Sequence, residues 1–600
     1  MALDRKACLT REEEIPGQKD EGVDFEHTVR GMLHAEYEDW PNEAGFEGLN
    51  EIRGPVKLAV KGSIPAWAAG TLYRTGPGQY TIENTPKGTF RTTHWFDGFG
   101  HSHKFNIIAA SSDTEADLQV KVEYSSRRQS QALYDAVKRD GRRPDVSFGQ
   151  RTDPCVGVFG KLMSVWRGPP QSQGIDFDNV AVAVQANVPG LPSKAKEGTQ
   201  SGHRGGIKSL WLTSDHGVMK EFDQNTLEPI GVAKQQNLHP LLKGPLSCAH
   251  AQKDPETGDF FNYNLELGYP TTYRIFRASM STGKTDILAT ISAPDAKPAY
   301  IHSFFLSPSF VIFCVPSSHI GMMGIKIPWG GNMIDAIEPF NESKLCKWFV
   351  IDRLGNRGVV ATFESPAGFF FHSINAFEER DDAGNISIYC DVIQYPTLDV
   401  IRAFEIDVIL QSDGATKNFW GNEERNRNSH ARLVRWRLTI PKLGTQAGKG
   451  STPRQAAEKI FEIKAPHAGE LPSINPAYVT KKYRYVYSIA SRGYSSLFDS
   501  IVKTDLVTRE TWLWDNPKGH TPGEAIFVQR PSSDEPRDED DGVLLTVVLD
   551  GVGKTSYLLC LDAKTMKELG RAECDFAIAI GFHGLHWPPS SAENTETSRI

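Results

Sequence analysis

The chain of 600 residues has 66 Lys and Arg against 74 Asp and Glu, a net charge of −8, and is 39 % apolar and 10 % aromatic. The acidic balance and a pI near 6.1 argue against a nucleic-acid binder, and no run of about twenty apolar residues is present to cross a membrane. Six hundred residues suggest several domains by length alone, but closed all-β folds run this long as one unit.

Met1 to Asp20 is charged and has no apolar h-region, so it is not read as a secretory signal. Residues 1–53 read as an N-terminal extension, partly flexible, in which Phe25 to Asp39 is predicted to form a short helix. The ordered fold is expected to begin at Gly54 and to run through 54–600. There Leu58-Ala-Val and Gly70-Thr-Leu-Tyr-Arg-Thr-Gly-Pro-Gly78 alternate strand and turn signals. Short runs of Val, Ile, Tyr and Phe then recur to the end of the chain. Examples are Leu118 to Tyr124, Asn179 to Val184, Phe310 to Val315, Ile386 to Val392, Tyr483 to Ser488 and Val543 to Val548, with Gly, Asp, Asn and Pro between runs. Long amphipathic helices are scarce.

A weak repeat lies in the turns. Phe222-Asp-Gln-Asn-Thr-Leu-Glu-Pro-Ile-Gly231 is similar to Leu561-Asp-Ala-Lys-Thr-Met-Lys-Glu-Leu-Gly570, with related versions at Arg277 to Lys284 and Lys503 to Thr511. Each reads strand, polar turn, strand, as in the outer hairpin of a propeller blade, although any β-rich protein makes hairpins. In a propeller the inner strands of different blades point at one axis, so residues distant in sequence can converge.

Several motifs fail as sites. Gly553-Lys554-Thr555 and Gly283-Lys284-Thr285 lack the upstream glycine of a phosphate-binding loop, and no G-x-S-x-G nucleophile elbow is present. His94, His101 and His103 cluster in sequence. On a strand His101 and His103 share a face and could bind zinc, but no further ligand lies nearby and a structural role is expected. The eight cysteines, with no C-x-x-C pair, suit reduced thiols in an intracellular protein.

Four other histidines stand far apart, each in apolar surroundings: Cys248-Ala-His250-Ala, Tyr300-Ile-His302-Ser, Phe370-Phe-His372-Ser and Gly581-Phe-His583-Gly. A buried imidazole needs a partner for at least one ring nitrogen. One such residue is usually a core histidine, and no pair has a local ligand spacing such as H-x-x-x-H.

Set beside these histidines, several stretches resemble the carotenoid cleavage oxygenases over roughly Gly54 to Trp587. They are Gly70 to Gly78, Trp95-Phe-Asp-Gly98, Ala249-His-Ala-Gln-Lys-Asp-Pro-Glu-Thr-Gly258, Ile301-His-Ser-Phe304, His372-Ser-Ile-Asn-Ala-Phe-Glu378, Glu470-Leu-Pro-Ser-Ile474, Gly523-Glu-Ala-Ile-Phe-Val528 and Gly581-Phe-His-Gly584. The resemblance implies an all-β fold, a seven-bladed β-propeller with a helical and loop-built dome over its top face. It also implies one Fe(2+) held by His250, His302, His372 and His583, with O2 as co-substrate. Four neutral imidazoles suit a borderline metal and leave octahedral positions open. Family carboxylates sit one layer out; by match Glu470 partners His372 and Glu524 partners His583. Asp215 falls where the family has glutamate and is one methylene short of His302, so any contact is expected to run through water.

The implied reaction is scission of a conjugated C=C by O2 to two carbonyl products, with no protein nucleophile or general base. Stilbene-cleaving members carry a lysine where this chain has Ser214, which favours a hydrocarbon polyene. The pattern is most similar to fungal torulene-cleaving members, which form β-apo-4′-carotenal on the way to a carotenoid pigment. Cleavage of β-carotene, another apocarotenoid or a stilbene is the alternative, and a non-catalytic propeller scaffold the alternative of another class. A carotenoid substrate implies a membrane or lipid-droplet surface as partner and a cytoplasmic protein peripherally attached to it. Thr152 to Arg167, with Phe159, Leu162, Met163, Val165 and Trp166 between Lys161 and Arg167, resembles a membrane-dipping dome segment, as does Gly321 to Gly330; a core helix or oligomer contact is the other reading.

Overall fold

The protein is described here as a computed structural model covering residues 18–47, 49–109, 120–151, 174–194, 206–292, 296–324, 326–327, 331–442, 455–531 and 537–589. It is all-β and propeller-like. Five separate sheets follow one another along the chain, spanning 183–234, 252–292, 305–365 (with Gln455–Ala456 added at its edge), 369–464 and 470–513. A ten-stranded sheet takes the first and last strands of the fold. Seven separate blades are therefore not what forms. The reason is Val56–Gly62, which pairs on one side with Glu568–Glu573 and on the other with Lys121–Arg128. Both its edges are used, so the two ends of the chain merge into one continuous sheet and leave no exposed edge between them.

The strands form where the sequence predicted them, shifted by a few residues: Phe310–Val315, Ile386–Tyr395, Tyr485–Ala490 and Gly542–Asp550 all lie in sheets. Three of the four repeated turns share one device: Asp223, Asp505 and Asp562 each accept a hydrogen bond from the backbone N–H of the threonine three residues on, and Asp254, outside the repeat, does the same. The residue after that threonine has positive φ in each: Leu227, Arg509, Met566 and Gly258. The fourth turn, Arg277 to Lys284, has Ser279 in place of the Asp and closes through Gly283 N–H to the Ser279 carbonyl, with Gly283 also at positive φ. An Asp at the first turn position thus stands in for a backbone acceptor and closes the hairpin.

Neighbouring sheets pack face to face through aromatic and aliphatic side chains. Between the sheets of 305–365 and 369–464, Phe305, Trp348, Phe370, Cys390 and Trp436 form one buried cluster. The described cysteines Cys248, Cys314, Cys346, Cys390, Cys560 and Cys574 are free thiols and buried. Short helices enter between strands: Gln131–Asp140, and the group Asp399–Ala403, Ile406–Ile409, Ala415–Trp420 and Glu423–Asn428.

The helix Gln18–Leu33 begins and ends several residues before the Phe25 to Asp39 element expected, and it packs on the body of the fold. Phe25, Val29 and Met32 are buried, Glu26 pairs with Arg427 at 2.6 Å, and Asp24 with His467 at 2.8 Å. Among the described residues no helix is long and apolar enough to cross a membrane.

Candidate metal centre

Three of the five separate sheets and the ten-stranded sheet each bring a histidine to one central point, and the other two, 183–234 and 470–513, supply Asp215 and Glu470 behind those histidines. His250 sits just before Gln252–Lys253 and His302 just before Phe305–Leu306, bridged to each other through a His250–Ser303 pairing. His372 lies within Phe369–Arg380 where the register shifts between Phe370 and Ser373. Two residues there oppose one on the partner strand, a bulge that re-aims the imidazole. His583 opens the strand His583–Trp587 and pairs with Thr75. One ligand atom from each of these four histidines lies within 4.8 Å of the other three. The Nε2 atoms of His250 and His302 are 3.1 Å apart, and those of His372 and His583 are 3.2 Å apart.

The Nδ1 sides face carboxylates. His302 Nδ1 is 2.8 Å from Asp215 Oδ2, His372 Nδ1 is 2.5 Å from Glu470 Oε2, and His583 Nδ1 is 2.8 Å from Glu524 Oε1. The Asp215 contact is direct, against the expectation of a water between. The peptide chain makes up the missing methylene: Ser247 N–H donates to the Asp215 carbonyl, and Ala249 N–H to Asp215 Oδ1, drawing residue 215 onto the segment that carries His250.

Each carboxylate has a second donor. Tyr300 O–H donates to Asp215 Oδ2 at 2.8 Å and Tyr395 O–H to Glu470 Oε1 at 2.6 Å. Arg74 Nη1 donates to Glu524 Oε2 at 3.1 Å. Burial raises both tyrosine pKa values far above ordinary, reinforced by the carboxylate each faces, so both remain donors. Burial alone would raise Glu470 and Glu524 too. For Glu470, the attraction of His372 and hydrogen bonds from His372, Tyr395 and Leu471 N–H outweigh it. For Glu524, His583 and Arg74 do so, and both acids lie below the usual carboxylate value. Burial pushes His250 well below an ordinary histidine and His372 down to about 4.

With carboxylates taking the Nδ1 hydrogens, the Nε2 atoms of His302, His372 and His583 present lone pairs to one another. Lone pairs about 3 Å apart repel unless a cation lies between them. Two nitrogens bound at right angles to a metal at about 2.1 Å would be separated by about 3 Å, so the donor set fits a metal ion of that kind.

In front of the histidines lies a cavity of about 930 Å³, with His302, His372 and His583 in its lining. Trp95, Phe96, Phe148, Phe371, Phe404, Phe498 and Phe582 supply its aromatic wall. Phe371 reaches the imidazoles directly, 5.8 Å from the His302 ring between centroids, and Phe96 joins Phe371 to Phe582 at 5.7 and 5.2 Å. Polar side chains including Lys234, Gln236 and Lys243 line other parts of the cavity. Ser214, beside Asp215, is buried in the lining with its hydroxyl unpartnered.

His94 has a structural part. His94 Nε2 bonds the Ile401 carbonyl at 2.9 Å and its Nδ1 accepts from Phe96 N–H. His101 and His103 are buried, and burial depresses His101 to about 3. They join no third ligand: the four-histidine group is the metal-like cluster found among the described residues.

The family model for retinal pigment epithelial membrane protein matches residues 45–588. The chain belongs to this family. Relatives include the carotenoid dioxygenase of Neurospora crassa, 52 % identical across 95 % of both chains. The torulene dioxygenase of Gibberella fujikuroi is 45 % identical over 95 % of this chain and 97 % of that one. Among solved structures, a variant of Synechocystis apocarotenoid oxygenase covers 91 % of this chain and 98 % of its own at a TM-score of 0.67 and 22 % identity; the same enzyme also matches in a cobalt-substituted form. At that identity the likeness concerns the fold. The family match covers every histidine and carboxylate of the centre. The residues that sequence reasoning missed are Tyr300, Tyr395 and Arg74. Arg74 stands within the quoted stretch Gly70 to Gly78, but nothing in its setting marks it as paired to a carboxylate 450 residues away.

Proposed function

We propose that the protein is a non-haem iron(II) dioxygenase that cleaves a conjugated C=C of a carotenoid, with torulene as substrate and aldehydes as products. The observation that carries this reading is the convergence of four imidazoles on one point at the wall of an aromatic cavity, three of them fixed from behind by carboxylates. The kinship to carotenoid and torulene dioxygenases supports the substrate class.

His250, His302, His372 and His583 would hold the iron through Nε2. Bound there, iron(II) supplies the binding and activation of O2 that singlet organic molecules cannot achieve alone. The remaining work is done by the chain. Asp215, Glu470 and Glu524 hold the Nδ1 protons of three ligands, which fixes the tautomers and keeps each ring aimed. The aromatic wall excludes water and holds a rigid polyene against the centre by shape, so the bond presented for cleavage follows from cavity depth and end-group fit. Ser214 puts no cation beside Asp215, which suits a hydrocarbon better than a phenolic stilbene.

The proposed membrane contacts Phe159, Leu162, Met163, Val165 and Trp166 lie outside the described residues, as do 325 and 328–330 of the second candidate, Gly321 to Gly330. Val146 and Ser147, shortly before the first segment, and Gly324 and Ile327, within the second, line the cavity, which supports entry of a lipid-held substrate from that side.

The test is iron content together with product analysis on torulene, β-carotene, an apocarotenal and a stilbene. One iron per chain with torulene cleaved fastest is the expected outcome. Preference for another polyene would move the substrate, and a protein that retains no metal and cleaves none of the four would leave a scaffold.

A further inference from the structure

Arg74 lies in the middle of Gly70–Gln79, only 3 % exposed, and is paired across the sheet with Gly584. The space for its long side chain is built by glycines. A Cβ on Gly584 would stand 2.6 Å from Arg74 Cδ, and one on Gly523 would stand 3.0 Å from its Nη2. The guanidinium donates through Nη1 to both the carboxylate and the carbonyl of Glu524, at 3.1 Å each, and through Nη2 to the Phe582 carbonyl at 3.3 Å. Glu524 in turn receives His583 Nδ1–H and Gly584 N–H. Arg74, Glu524 and His583 thus form one chain of contacts leading to the centre.

The other two carboxylates are built differently. Asp215 and Glu470 each receive a neutral tyrosine hydroxyl. Among the described residues, Arg74 is the one arginine or lysine ion-paired with any of the three acids, whose remaining ion-pair partners are the histidines themselves. Three carboxylates and one guanidinium leave two negative charges behind four neutral imidazoles. In a buried, weakly screened setting that charge is matched by a dication.

We propose that Arg74 is a positioning residue that also sets the net charge of the centre, holding it at the value that favours a divalent over a trivalent metal. This rests on the metal-centre reading above. Without Arg74 the same shell carries three negative charges, the trivalent ion gains relative to the divalent one, and the ferric–ferrous potential falls. Removing a carboxylate has the opposite sign.

The test compares the midpoint potential of the iron-loaded full-length protein for wild type, Arg74→Met, Arg74→Lys, Glu524→Gln and the double variant Arg74→Met with Glu524→Gln. Arg74→Met is expected to raise the ferric-to-ferrous affinity ratio at least tenfold, a fall of about 59 mV for a one-electron couple. Arg74→Lys keeps the charge and should recover most of that shift. Glu524→Gln should lower the ratio, and the double variant should return it to within about threefold of wild type, a compensation that lost packing cannot produce. An Arg74→Met protein that holds iron at an unchanged potential would overturn the proposal, as would a double variant displaced further than either single one. Should Arg74→Met fail to fold, Glu524→Gln decides alone, since an unchanged potential there rules out control by charge. A wild type that binds no iron would instead bring down the metal-centre reading itself.

Discussion

The two sides of the four-histidine point are built from opposite materials. Behind the imidazoles stand three carboxylates, two tyrosines and one arginine, each joined to the next by hydrogen bonds of 2.5 to 3.1 Å. In front stands a wall of Phe and Trp. The back is directional: a hydrogen bond weakens steeply when its angle fails, so this side can fix where three of the four nitrogens point. The front is not directional, so it can fix a long apolar substrate only by shape and excluded volume. A reaction that needs no proton donor from the protein needs none on the substrate side. The difference predicts that damage behind the histidines is read in metal retention, whereas damage in front is read in which bond is cut and how fast.

The largest expected effect comes from removing a ligand. His372→Ala should abolish iron retention and turnover while the sheets stay folded, checked by metal analysis alongside circular dichroism. Retained stoichiometric iron would remove His372 from the centre.

Next are the outer carboxylates. Glu524→Gln should lower iron affinity or turnover by about 10–100-fold, the usual cost of losing such a partner. Asp215→Ala should fall in the same range, because its carboxylate touches His302 directly and is itself held by Tyr300. If Asp215→Ala behaved as wild type in an iron-binding titration while Glu524→Gln did not, the centre would rest on two carboxylates and not three.

A change to the front should separate from both. Phe404 lines the cavity and packs on Trp95 and Phe371, with ring centroids 5.3 and 6.1 Å away. Phe404→Ala should leave iron content intact, lower kcat/KM by about tenfold and broaden the products. A full ångström of misplacement costs about 10²-fold, so a tenfold loss corresponds to a smaller displacement. Loss of iron in this variant would erase the distinction between the two sides.

The smallest effect is on stability against pH. Burial holds His101 and His430 at about 3 and His586 at about 4, so all three are neutral in the fold. The unfolded chain takes up their protons near pH 6.5, and the folded chain does not until the pH is far lower. Stability from these groups is therefore present above about pH 6.5 and drains away as pH falls toward 4. The melting temperature of metal-free protein should decline steadily over that window. A flat profile would mean that these rings are already charged in the fold or are not buried.

How the site could be found at all differs residue by residue. His250, His302, His372 and His583 have no spacing that marks a site, and only their settings, matched one after another to a known family, made them a set. Glu470 and Glu524 were visible for the same reason. Asp215 was visible as a position, but its reach depends on where Ser247 and Ala249 pull the backbone. Tyr300 and Tyr395 read as ordinary apolar-flanked aromatics, and Arg74 as one residue of a strand.

The amino-acid order by itself determined what is local: strand runs of Val, Ile, Tyr and Phe, polar turns between them, and an apolar setting for each of the four central histidines. These follow from interactions among residues a few positions apart, which a sequence displays directly. The tertiary structure alone decided the merging of the first and last strands into one ten-stranded sheet, the docking of Gln18–Leu33, the bulge that turns His372 inward and the meeting of Arg74 with Glu524. Each depends on segments tens to hundreds of residues apart arriving at one place. Closing such long loops has an entropy cost that only the summed burial of the whole core can offset. No single segment therefore carries the signal of these contacts; they exist once the closed ring of sheets has formed.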